Sequence, residues 1–121
     1  MDKEKLLEVL KEAGIDTDDL AERLMGNMNL ITRFFRRFPD DKSYFSLEEA
    51  LKKEQCEEAF RAAHSLKGVT ANLSMRRLYT IVSSQVEDFR KGDLKSGMNK
   101  MEAVTDEYKR MVDVINNIKW E

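Results

Sequence analysis

The chain has 121 residues, 41% apolar and 36% charged, and its 21 basic and 23 acidic residues leave a formal net charge of −2. That is enough chain for one domain with its own core, 1–121, and the charge balance offers no footprint for nucleic acid. One cysteine, Cys56, excludes an intrachain disulfide and a cysteine metal cluster. The charged start Met1-Asp2-Lys3-Glu4-Lys5 is no signal peptide, and no apolar run nears the roughly 18 residues of a membrane span, so a cytoplasmic protein is expected.

Helical periodicity runs along nearly the whole sequence. Leu6, Leu7, Leu10 and Ala13 form a first stripe that Gly14 can stop. Asp16 or Thr17 can cap a short second helix carrying Leu20, Leu24 and Met25, interrupted by Gly26 and Asn27. Met28, Ile31, Phe34, Phe35 and Phe38 make a third stripe, ended by Pro39. A helix is expected from Pro39 to about Lys53, although Ser46-Leu47-Glu48-Glu49 reads as a capping box that would start it later. The next runs from about Gln55 to Asn72, with no glycine or proline at its boundary. Ser74 can cap a helix bearing Leu78, Ile81, Val82 and Phe89, which Gly92 ends. Asp93 then caps a last helix through Met98, Met101, Tyr108, Ile115 and Ile118, about 25 residues and about 38 Å long. Long amphipathic helices with short connections give an all-α fold, an antiparallel four-helix bundle with additional short N-terminal helices.

The one histidine, His64, lies in the Gln55–Asn72 segment. At about 100° per residue, Ala59, Ala62, Leu66, Val69 and Leu73 fall within about 40° of the side opposite to it and form the buried stripe. His64 therefore faces outward, with Phe60, Lys67, Gly68, Ala71 and Met75 within about 60° of its direction. Helical side chains lean over the preceding turn, so a side chain at 68 would cover the imidazole and glycine leaves it open. In a helix interior that glycine costs about 1 kcal/mol relative to alanine. Lys67 leans back toward the same ring. A neutral imidazole is a nucleophile near neutral pH, and a phosphorylated one needs a nearby cation and open space for in-line transfer. Each residue also has an ordinary reading: a surface histidine, a solvated lysine, a glycine at a helix contact, a packed phenylalanine. The glycine tips the balance, because a packing glycine should face the core and Gly68 shares the side of His64.

The run Ala63-His64-Ser65-Leu66-Lys67-Gly68, with Ala71 and Leu73 after it, resembles the signature of the histidine phosphotransfer (HPt) domains of two-component phosphorelays. The similarity extends from about Ile15 through the closing helix. It implies a phosphoprotein that takes a phosphoryl group on His64 from a receiver-domain aspartate and passes it to another receiver. Lys67 would be the supporting cation and Gly68 the clearance residue, with Phe60, Arg61, Ala71 and Met75 on the docking surface. The partners implied are response-regulator receiver domains and a hybrid sensor histidine kinase. No cofactor is implied for the chain itself, magnesium being held by the receiver. A monomer is expected, freestanding or part of a larger chain. Two positions depart from the family pattern: Ser74, where many members have glycine, and Val86, where many have an acid or amide, with Gln85 as an adjacent substitute.

Two other functions compete with this reading. A receiver-binding bundle without phosphotransfer would not need both His64 and Lys67. An autonomous kinase or metal-dependent hydrolase lacks its sequence basis: there is no glycine-rich nucleotide loop, and one histidine and one cysteine leave only carboxylates for a metal.

Overall fold

The computed structural model describes residues 2–120. Among these residues eight α-helices follow one another: α1 (Lys3–Glu12), α2 (Thr17–Arg23), α3 (Met28–Arg37), α4 (Ser43–Lys52), α5 (Cys56–Asn72), α6 (Arg76–Arg90), α7 (Leu94–Asn99) and α8 (Met101–Asn117). There is no strand among the described residues. α5 lies at the centre, packed most extensively against α6 and α4, and α6 also packs on α7 and α8. These helices form the antiparallel bundle, and the shorter α1–α3 precede it. The 17-residue α5 and α8 are each about 26 Å long. No helix among the described residues is long and apolar enough to cross a membrane.

The core follows the apolar stripes. Ala59, Ala63 and Leu66 of α5 are buried with Leu47 and Leu51 of α4, Leu78, Val82 and Val86 of α6, and Val104, Met111 and Ile115 of α8. Tyr44 and Tyr108 stack with ring centroids 3.8 Å apart and join α4 to α8. Burial pushes the Tyr108 phenol up to about 12.

Local chemistry explains most helix ends. Asp2, Asp16, Asn27 and Asp93 cap α1, α2, α3 and α7, each accepting a backbone N–H with its side chain. Of the two cap candidates for α2, Asp16 is the one used. Gly14 (φ 96°) and Gly92 (φ 78°) stop α1 and α6 in the left-handed region.

Three expectations are corrected. Pro39 does not open the fourth helix. It sits in a 3-10 turn, Phe38–Asp40, and α4 starts at Ser43, where the Asp41 side chain accepts the Ser43 N–H. The last helix is broken at Lys100 into α7 and α8. There the buried Gln85 of α6 donates from Nε2 to the Gly97 carbonyl at 3.1 Å, and the Lys100 N–H bonds that same carbonyl. A side chain inserted into the helical ladder bends it. Finally, Ser74 does not cap α6. It is the left-handed residue after α5, φ 54°, with its hydroxyl donating to Asp19 and its carbonyl accepting the Asp16 N–H. Glycine adopts that backbone at no steric cost, so the glycine that the resemblance leads one to expect here would suit the turn. Here the polar contacts to α2 offset the strain of a serine.

Candidate functional site

His64 projects from the middle of α5 into solvent, backed by the buried Ala59, Ala62, Ala63 and Leu66. Its ring lies 5.9 Å from that of Phe60, tilted by 39°. One turn later Gly68 is exposed, and a Cβ built on it would meet nothing within 4 Å. The glycine therefore answers no packing demand among the described residues.

Lys67 is half-buried and makes no ion pair among the described residues. Its ammonium nitrogen sits 5.8 Å from the centroid of the Tyr79 ring on α6. The neighbouring arginines are neutralised differently. Arg61 is exposed and pairs with Glu57 and Glu58 of its own helix, Arg76 pairs with Asp16, and Arg77 reaches the buried Glu107. Among the described residues, then, Lys67 is a cation near His64 that no carboxylate compensates.

On the other side of His64, Arg90 of α6 lies 5.1 Å from the centroid of Phe60, which is half-buried. Cys56, Phe60, Phe89 and Arg90 line a shallow, mostly apolar cleft there, and the Cys56 thiol donates to the Phe89 carbonyl at 3.7 Å. At the opposite end a second cleft runs between α2 and the α5–α6 turn, with Ala71, Tyr79, Arg23 and Arg76 among its walls. The α5–α6 seam thus has His64 between two depressions.

The structure separates the expected docking residues. Phe60 and Ala71 are half-buried at the seam and Arg61 is exposed, but Met75 is only 2% exposed and belongs to the core. Continuing the α5 angle to position 75 is the source of the error. The chain leaves the helix after Asn72, and the left-handed Ser74 turns Met75 inward as the residue before α6. Neither residue named for polar support from α6 reaches His64. Val86 is fully buried, and Gln85 points at α7.

Sequence reasoning missed Tyr79, which is 37% exposed in the first turn of α6. It also missed Ser83, one turn on, whose hydroxyl is buried without a hydrogen-bond partner among the described residues. An aromatic on the solvent side of an amphipathic helix was the available signal for the first, and nothing local marks the second. Among the described residues no cluster of His, Cys, Asp and Glu is placed to hold a metal ion.

The model of the Hpt domain family matches residues 30–114. The match begins inside α3, later than the similarity read from Ile15, and leaves α1 and α2 outside. No curated protein and no solved structure matches the chain significantly. With α4 to α7 and most of α3 and α8 inside the match, the histidine-bearing α5 among them, the chain belongs to the Hpt domain family, the histidine phosphotransfer proteins of phosphorelays.

Proposed function

We propose that this chain is a phosphorelay intermediate that carries its phosphoryl group on His64 and exchanges it with the aspartates of receiver domains. The observation that carries the reading is the combination at the α5 surface: an exposed imidazole, open space above Gly68, and at Lys67 an ammonium without a carboxylate partner among the described residues. The unprotonated ring nitrogen attacks the phosphorus of a receiver's aspartyl phosphate. The N–P bond forms as the P–O bond to the aspartate breaks, and the carboxylate leaves with the bonding pair. The reverse step, with a second receiver's carboxylate as nucleophile, discharges His64. Positioning and charge stabilisation supply most of the acceleration in such transfers. Lys67 balances the charge of the phosphoryl oxygens, and Gly68 admits the receiver along the line of attack.

On this reading the chain is no kinase, works as a monomer in the cytoplasm, and uses residues 1–121 as one domain. The magnesium that activates the aspartate belongs to the receiver. Donor receivers include the one attached to a hybrid sensor kinase, with Phe60, Arg61 and Ala71 on the docking face.

The test is transfer from a phosphorylated receiver. Wild-type protein should take up phosphate that is labile in acid and stable in base, and His64→Gln should take up none. Uptake by His64→Gln at the wild-type rate would end the proposal. Tight receiver binding with no transfer in either direction would favour a docking module instead.

A further inference from the structure

Two contacts between a cation and an aromatic face tie α5 to α6 on either side of His64, and they leave different charges free. Arg90, over Phe60, also pairs with Glu87 at 3.4 Å. Lys67, over Tyr79, has no carboxylate partner among the described residues. Tyr79 is itself 37% exposed, and its hydroxyl makes no hydrogen bond among the described residues. Its ring walls the cleft between α2 and the α5–α6 turn, and no hydrogen bond among the described residues fixes it there.

A lysine on a four-carbon stem samples many positions when nothing restrains it. A carboxylate would restrain it but would cancel its charge. The face of an aromatic ring attracts an ammonium within about 6 Å through its quadrupole and leaves the net charge intact. At 5.8 Å the Lys67–Tyr79 pair satisfies that geometry. We propose that Tyr79 is a positioning residue: its ring holds the Lys67 ammonium on the α5–α6 seam beside His64, still charged and ready to meet the incoming phosphoryl group. The assignment rests on the role proposed above for His64. It places on α6 a function that neither Gln85 nor Val86 serves.

A double-mutant cycle tests it, read as the single-turnover transfer rate from a phosphorylated receiver at saturating receiver concentration. Tyr79→Leu should slow transfer by about two- to fivefold, the size of an exposed cation–π contact. Receiver affinity should stay unchanged, and Tyr79→Phe should restore the rate. In a Lys67→Gln background Tyr79→Leu should cost nothing further. A second measurement is independent of transfer: the Lys67 ε-methylene protons should show a ring-current shift by NMR that Tyr79→Leu abolishes and Tyr79→Phe keeps. An equal loss in both Lys67 backgrounds, a loss with Tyr79→Phe, or no ring-current shift overturns the assignment while leaving His64 as carrier. A wild-type protein that takes up no phosphate overturns the carrier reading and the Tyr79 assignment with it.

Discussion

Gly68 is where stability and the proposed chemistry pull in opposite directions. An exposed helix-interior glycine with nothing near its Cβ direction is suboptimal for the fold. Gly68→Ala should raise stability by about 0.5–1 kcal/mol in urea denaturation. Gly68→Gln should also fold well, but its side chain would lean over His64, and transfer from a phosphorylated receiver should fall about tenfold or more. A Gly68→Gln protein that transfers at the wild-type rate would show that the open space has no role. The outward face of His64, the clearance at Gly68 and the buried alanines behind them are all readable from spacing, because one helix defines them. Met75 and Ser74 are not, because a left-handed residue ends the angular series there.

The break between α7 and α8 comes from contacts with α6. Gln85 takes the Gly97 carbonyl, and Gly97 lies against Phe89 so closely that an added Cβ would stand 2.1 Å from the ring. Both the glycine and the broken ladder are consequences of pressing α7 onto α6. Gly97→Ala would gain helix propensity in isolation, yet it should destabilise the protein by about 1–3 kcal/mol through the displaced ring. Urea denaturation decides the sign, and a stabilised variant would mean that Phe89 moves aside freely. The 94–118 periodicity reads as one long helix because its apolar positions stay nearly in phase across Lys100.

The N-terminal helices, most of which lie outside the family match, are tied to the bundle by polar contacts. Arg110 pairs with the buried Glu107 and donates to the Ala13 carbonyl at 2.8 Å, which fixes the end of α1 on α8. Asp16 and Asp19 fix α2 on the α5–α6 turn through Arg76 and Ser74. The Asp19 backbone N–H, and then Arg76, hold the Asp16 carboxyl below its usual range; Arg23 and Ser74 do the same for Asp19. A carboxyl with a lowered folded pKa stabilises fully above its unfolded value, and the gain is lost as pH falls through the folded one. Melting temperature should therefore fall as pH is lowered through the carboxylate range, and the gap between wild type and Asp19→Asn should narrow toward pH 3. A gap that stays constant from pH 7 to pH 3 would remove Asp19 from this account.

Composition and period suffice for the helical class, the stripe of each helix and the exposure of His64 beside Gly68, since all of these depend on neighbours within a few residues along the chain. They also carry the signature shared with the family. Only tertiary packing decides that Met75 is core, that Ser74 is a left-handed turn bonded to α2, that Gln85 splits the last helix and that Tyr79 meets Lys67. Each of these depends on a partner from another helix, and the periodicity of one helix holds no information about which side chain an adjacent helix brings to its surface.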